Sequence, residues 1–423
     1  MGCNMSRLAK APISVVRIIL PSIFPRIAEN KSRAETEGKG ASSMAISAVL
    51  DNDDLLYEIL LRLAFPTSLV RAALVCKRWL ALASAPAFLR RFRDLHPPSL
   101  LGFYVETEGT YPPKFVPLPQ PPELAAVISR ASFDLDSLSR DKFDVEYCNS
   151  LLILHTAHKT RVRCSLYPAR YTAVLPTFRG TSIHDDSLTY HEHEILAKAG
   201  GGAGDGLSYF CLAMGYKEQH TVMDVYVLQD GVWAIHSSVV TQVPKIELQL
   251  PRTLLGDTKI YNSASVNDRH KLVVLDLVSS SLSLLDLPEE MLPLSFELSL
   301  TDDSHLHLIH VKGSQLHIWL HQMDGNGLSS WFLEGTICLH EICANSMLPN
   351  CILKDANVEA VGGNSRFVFM EADDVLYLFD IKNKAAKKVY EITPEAKSLD
   401  CVIPIMMVWP PKFPVMMERC DPK

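Results

Sequence analysis

Several features are scarce in this 423-residue chain, and each scarcity removes a class of function. None of its ten cysteines forms a C-x-x-C pair, and their spacing is irregular. A disulfide framework is therefore not expected; reduced, mostly buried thiols of a cytosolic or nuclear protein are. No uninterrupted apolar run approaches the ~20 residues of a membrane-spanning helix, so the chain is expected to be soluble. Basic residues are outnumbered, 41 Lys and Arg against 48 Asp and Glu, for a formal charge of −7. Nucleic acid, which calls for a basic face, is not an expected partner. No G-x-S-x-G elbow, H-E-x-x-H helix or G-K-[ST] phosphate loop occurs, so no enzyme activity and no cofactor is expected. What remains is ample core material, 48% hydrophobic residues. The length suits two or three domains, or one small domain and one large one.

Weaker constellations have plainer explanations. His191 and His193 alternate in H-E-H-E, and His305, His307 and His310 crowd S-H-L-H-L-I-H, with His317 and His321 nearby. These are read as solvated strand histidines, with Leu306 and Leu308 on the core side. Cys338, His340, Glu341 and Cys343 include zinc-ligand types but lack a second pair at finger spacing, so no metal site is assigned. Gly200 to Gly206 reads as a flexible inter-strand loop. Asp185-Asp186, Asp302-Asp303 and Asp373-Asp374 fall at turn-like positions, where Asp serves the backbone. Trp233, Trp319 and Trp331 read as core rather than ligand platforms.

The most organised stretch runs from Asp53 to Leu82. Leu55, Leu56, Ile59, Leu60 and Leu63 draw one helical stripe. Asp51, Asn52 and Asp53 offer capping oxygens and acids for the first turn. Pro66 stops that helix, and Thr67 is placed to cap a second, whose stripe is Leu69, Ala72, Val75, Cys76, Trp79 and Leu82. Pro86 opens a third segment bearing Phe88 and Phe92. So little helix buries little by itself and needs a partner surface. The run D-D-L-L-x-E-I-L-L-R-L, then S-L-V-R-A, then V-C-K-R-W-L-x-L at Val75–Leu82 resembles an F-box, the helical module that docks on the Skp-type adaptor of a cullin ubiquitin ligase. The trailing Pro86-x-Phe88, Phe92 and His96-Pro97-Pro98 are similar to a plant-type subfamily. The resemblance implies adaptor contacts from Leu55, Leu56, Ile59, Leu60, Leu63, Leu69, Val75, Cys76 and Trp79, with Lys77 at the polar rim. Some of these must pack the module's own interior. The usual opening Leu-Pro reads Asp51-Asn52 here, which motivates a second reading: a binding module whose degenerate box has no ligase role.

Residues 1–47 differ from the rest, basic and acid-free through Arg26 and polar from Glu29 to Ser43. They read as a disordered extension, with Met44 a natural start. Met1-Gly2-Cys3 also fits an acylation pattern at Gly2 and Cys3, which would anchor the chain to a membrane, and the Arg-bearing stretch fits a transit peptide.

Beyond Leu100 short strands take over, bounded by Gly, Pro, Asn, Asp and Ser. Strand–turn–strand units recur at Asp224–Trp233, Lys271–Leu287, Gln315–Trp331 and Val375–Tyr390. With Tyr226, Val274, Ile318 and Tyr377 as equivalent points, the steps are 48, 44 and 59 residues. A weaker copy runs from Ser150 to Pro176. A period of roughly 40–50 residues is that of four-stranded propeller blades, each able to bury its faces only against neighbours. Leu101–Val105 is a candidate closing strand. The same F-box family pairs its box with such a domain. The expected architecture is thus α+β and multidomain: an extension (1–47), a small all-α module (48–95), a β-propeller of about six blades (96–415), and a tail (416–423). A β-sandwich is the alternative for the large domain. The implied function is the substrate-recognition subunit of a Skp–cullin–F-box ligase, with the all-β domain holding a client protein, in the cytoplasm or nucleus.

Overall fold

The computed structural model describes residues 49–413 apart from 109, 136–143, 149–150, 156–159, 167–171, 180–189, 191, 200–206, 218–219, 244–245, 249–252, 268, 289–295, 302–303, 324–328, 349–355, 363–364, 395, 397, 410 and 412. Gly2, Cys3, Met44, the Gly200–Gly206 loop and the 185–186 and 302–303 acid pairs lie outside the described residues. The chain divides into two compact units. The first joins residues through Leu100 with Pro119–Ser129 and the chain from Met406, and the second holds Leu101–Leu118 and Arg130–Ile405. The unit expected to end at residue 95 is therefore completed by two later segments. Among the described residues no helix is long and apolar enough to cross a membrane.

In the first unit, four helices follow one another: α1 (Asp53–Leu61), α2 (Pro66–Ala73), α3 (Lys77–Ala83) and α4 (Pro86–Leu95). Asn52 caps α1, its side chain accepting from Leu55 N, and Asp53 and Asp54 occupy the positive end of the helix dipole. Pro66 is not merely a stop: it opens α2 from an extended Phe65, as a first-turn proline can because it has no N–H to orphan. Thr67 consequently lies inside the helix and does not cap it. The second stripe is divided, because α2 ends at its cap Leu74 and α3 starts anew after an extended Cys76. Leu56, Leu60, Leu69, Trp79, Phe88 and Phe92 form the shared core. A further helix, α5 (Pro122–Ile128), belongs to this unit and buries Leu124.

The second unit is a six-sheet β-propeller. Blade one is β1 (Leu100–Thr107), β2 (Thr110–Pro117) and the last strand, β24 (Leu399–Met406), in the order β2-β1-β24. The ring is thus closed by a strand from the far end of the chain, and Glu108 N donating to Ser398 O extends that closure. Leu101–Val105 provides the closing partner expected of it. Blade two is β3 (Asp144–Cys148), β4 (Leu151–His155), β5 (Thr160–Arg163) and β6 (Thr172–Leu175). Blade three is β7 (Glu192–Ala199), β8 (Leu207–Lys217), β9 (His220–Gln229) and β10 (Val232–Thr241). Blade four is β11 (Ile246–Leu248), β12 (Leu254–Leu255), β13 (Lys259–Val266), β14 (Arg269–Asp276) and β15 (Ser281–Asp286). Blade five is β16 (Phe296–Leu300), β17 (Leu306–Lys312), β18 (Gln315–Met323) and β19 (Ser329–Cys338). Blade six is β20 (Asn357–Val361), β21 (Phe367–Ala372), β22 (Val375–Asp380) and β23 (Ala385–Glu391).

Tyr226, Val274, Ile318 and Tyr377 lie in β9, β14, β18 and β22, so the strand–turn–strand repeat pairs the last two strands of each blade. Three of those pairings carry a bulge beside the repeat residue, opposite Tyr226, Ile318 and Tyr377. The weaker copy begins one strand earlier, at β4. The long 59-residue step is explained by an inserted helix, α6 (Leu339–Asn345), which sequence periodicity did not reveal.

The core lies between blades. Leu212, Met223 and Val225 of blade three meet Ile246, Ala264 and Val273 of blade four. Ile309, Leu316 and Ile318 of blade five meet Val358, Val368 and Phe379 of blade six, with Leu339 and Ile342 of α6 between them. Middle strands are therefore covered on both faces, and β17 is buried without alternation from Leu306 to His310.

Candidate functional site

The residues singled out in the helical module fall into two sets. Leu56, Ile59, Leu60, Leu63, Leu69 and Trp79 are buried in the module itself. Val75 and Cys76 are half-buried against its core. Leu55 remains 46% exposed, and Lys77 is exposed. Leu74, which the helical stripe did not select, is 51% exposed, and Val49 is 38% exposed. Leu74 caps α2 in helical geometry on the face opposite Leu69, so helical spacing itself turns it outward.

Arg78 gathers these positions. Its Nε donates to Asp53 Oδ1 at 2.7 Å, and its terminal nitrogens donate to Leu50 O at 2.7 Å and Asp51 O at 2.9 Å. The start of α3 is thereby tied to the start of α1. Leu55, in the first turn of α1, and the 74–77 link, which runs into α3, thus belong to the two helix starts that Arg78 joins. The Asp51-Asn52 departure acquires a local purpose in the same place, since Asn52 caps α1 and Asp51 presents its carbonyl to Arg78. At the other end, His96 Nε2 hydrogen-bonds Leu61 O at 2.7 Å and its ring leans on Phe92, while Arg91 pairs with Glu58 at 3.2 Å and covers Tyr57.

His193 and His305 are exposed as expected and His191 lies outside the described residues, but three other histidines of the propeller are not solvated as the alternation implied. His307 is 8%, His310 2% and His317 7% exposed, because neighbouring blades cover both faces of their strands. His307 makes a short chain of contacts, Nδ1 to Ser365 Oγ at 2.9 Å and Nε2 to Glu334 Oε2 at 3.1 Å. A carboxylate only accepts, so Nε2 carries the hydrogen and Nδ1 accepts from Ser365. Glu334 is the residue left unpaired by the β18–β19 bulge, which re-aims it at the imidazole. Burial, the main cause, holds the His307 pKa below the usual histidine value; Glu334 opposes and His305 adds to the lowering. The order Ser–His–Glu has the members of a hydrolytic triad. Ser365, however, is 6% exposed and sits in a loop that joins blade six to blade five through this bond. The trio pins two blades together.

Two tryptophans perform equivalent service. Trp233, near the start of β10, donates from Nε1 to Pro176 O at 3.0 Å, and Trp331, near the start of β19, donates to Asp286 O at 2.8 Å. Each links the outer strand of one blade to the end of the preceding blade's outer strand, so these side chains are half-buried latches rather than core. Beneath Trp233, Phe178 packs edge-on against Tyr226. Asp224, fully buried, accepts from Tyr190 and Ser238. Burial first, then the bond to Asp224, pushes the Tyr190 hydroxyl's pKa up. An acid inside the apolar run V-M-D-V-Y-V-L was the signal for this network.

Cys338 precedes α6, while His340 and Glu341 face solvent and Cys343 faces the core. The four do not converge. Cys343 is disulfide-bonded, so the thiols are not uniformly reduced as the irregular spacing implied. Cys76, Cys164, Cys211, Cys338 and Cys401 are free. Among the described residues no group of three or more His, Cys, Asp or Glu is gathered as metal ligands. Asp373 and Asp374 both have positive φ, the turn geometry anticipated for that pair.

Comparison with known proteins separates the same two parts. No curated protein matches the chain. Among solved structures, similarity extends to TolB from Acinetobacter baumannii (10% identity, 78% of this chain and 73% of that one, TM-score 0.37). It extends also to the AfRom2 CNH domain (8% identity, 59% and 70%, TM-score 0.28) and to prolyl oligopeptidase B from Galerina marginata (9% identity, 70% and 47%, TM-score 0.31). Likenesses at this level carry no argument. Residues 53–95 match the F-box-like family, over α1 to α4. Residues 145–413 match the family described as F-box protein AT5G49610-like, beta-propeller, more than half of the chain. A four-helix box followed by a six-bladed propeller, matched by both families in that order, makes this chain a member of the F-box proteins with an AT5G49610-like β-propeller.

Proposed function

We propose that the protein is the substrate-recognition subunit of a Skp–cullin–F-box ubiquitin ligase, with the module docking on the Skp-type adaptor and the propeller holding a client protein. On this reading it performs no bond chemistry; it raises the client's effective concentration near the ubiquitin-charged enzyme and orients it. It works where adaptor and cullin are, in the cytoplasm or nucleus. The observation that carries the reading is that Leu55 and Leu74 stand exposed, with Val75, Cys76 and Lys77 following Leu74, on a module whose Leu56, Leu60, Leu69, Trp79, Phe88 and Phe92 are buried. Isolated exposed leucines are common, but here they belong to the helix starts joined by the Arg78 clamp of a matched F-box.

The structure also chooses the variants. Leu60 and Trp79 are interior, so replacing them tests whether the module folds. Leu55→Asp and Leu74→Asp leave the interior untouched. Each is expected to weaken binding of purified Skp-type adaptor by about 1–3 kcal/mol, with unchanged circular dichroism and melting temperature. Wild-type affinity in both variants would remove docking through these leucines from the account. A wild-type chain that binds no adaptor at all would favour the degenerate-box reading.

A further inference from the structure

The core of the helical module holds aromatic side chains that its own four helices do not supply. Trp409 and Phe413, from the chain beyond β24, pack against the cluster that contains Leu56, Leu60, Trp79, Phe88 and Phe92. The Trp409 ring lies nearly parallel to Phe92, with centroids 6.0 Å apart and planes 6° from one another. Phe92 is fully buried and also stacks on Phe88 at 6.0 Å. Met407 N donates to Ser99 O at 2.8 Å, which lays the returning segment beside the chain that leaves α4. His96 leans on the same Phe92 at 4.8 Å and bonds the end of α1 through Leu61 O. Phe92 is therefore the point where α1, α4 and the C-terminal segment meet.

Four helices of 9, 8, 7 and 10 residues are each too short to be stable alone. An indole and a phenyl ring add large apolar area where that deficit is greatest. We infer that the docking module is a composite of both ends of the chain, in which Trp409 is a positioning residue: its ring holds Phe92, and through Phe92 it holds α4 and α1, the helix that bears Leu55. Adaptor docking then depends on a side chain near the C-terminus that touches no partner. The partner's identity rests on the function proposed above; the composite module does not.

The test uses the full-length chain, as wild type, Trp409→Ala and Trp409→Phe. Two quantities are read: hydrogen exchange of the α1 and α4 amides, and affinity for purified Skp-type adaptor. In Trp409→Ala, α4 amides are expected to exchange roughly ten-fold faster or more, with β9, β14 and β21 unchanged. Adaptor affinity is expected to fall by a similar factor, and Trp409→Phe, which keeps a ring on Phe92, to recover most of both. Unchanged exchange in α4 overturns the composite module. Faster exchange with wild-type affinity overturns the positioning role. Faster exchange in a chain whose wild type binds no adaptor upholds the composite while removing the ligase reading. If Trp409→Ala yields no soluble protein, Phe413→Ala, a smaller loss at the same core, is read by the same criteria.

Discussion

At His307, burial and charge pull in opposite directions. The imidazole is almost enclosed between blades, which disfavours its cation, while Glu334 at 3.1 Å favours it; burial dominates and the folded-state pKa lies below the ordinary 6.5. The sign of the consequence follows. Between the lowered folded value and 6.5 the unfolded chain binds more protons, so stability is full above pH 6.5 and declines as pH falls below it. His307→Gln, which does not titrate, is expected to lose stability at neutral pH but to show a shallower decline under acid. Urea unfolding at a series of pH values checks this, and a steeper acid decline in the variant would count against it. The same residue marks a limit of pattern reading. The run S-H-L-H-L-I-H alternates as a half-buried strand does, and only the neighbouring blade makes both its faces interior. In the helical module the limit is of another kind: the stripe identified the apolar residues but could not separate Leu55, turned outward, from Leu56, fully buried beside it.

Among the elements, one turn after a third strand is used in two blades. Asp276 ends β14 and accepts from Val278 N and Ser279 N, and Asp380 ends β22 and accepts from Asn383 N. Four positions after each Asp, Ser280 and Lys384 take positive φ. The two turns are the same structure written in different residues. Their carboxylates stabilise the turn by charge-assisted bonds to backbone N–H groups, which hold the Asp276 pKa below its usual value. Asp380→Ala is expected to cost about 0.5–1.5 kcal/mol in urea unfolding without change in the m-value. No loss would show that the strands alone set the turn. These turns were legible beforehand, because strand–turn–strand is a local pattern. The bulges and α6 were not: a bulge is a mismatch between two strands, and α6 shows its apolar face, Leu339, Ile342 and Cys343, only where blades five and six leave a place for it.

For the molecule as a whole, the segment from Leu399 to Phe413 carries an unusual share of the architecture. β24 completes the first blade, and the residues immediately after it complete the helical module. Removing residues 399–423 is therefore expected to unfold the chain rather than trim it. It opens the ring, exposing an unpaired edge of β1, and withdraws Trp409 from Phe92. Limited proteolysis should find protected propeller and module fragments in the full chain and neither in the truncated one. A truncated chain that keeps both would show that each unit closes without its last segment.

The sequence alone was enough for what depends on neighbours along the chain: the capped first helix, the segment opened by Pro86, the strand pairs and their period, and from the motif run the F-box itself. Tertiary structure decided what depends on residues far apart. It selected which leucines stay outside, which histidines become interior, how the ring closes, and that the module borrows a tryptophan from the other end. The physical reason is that periodicity records only that a side chain is apolar. What covers that side chain is settled when distant segments meet.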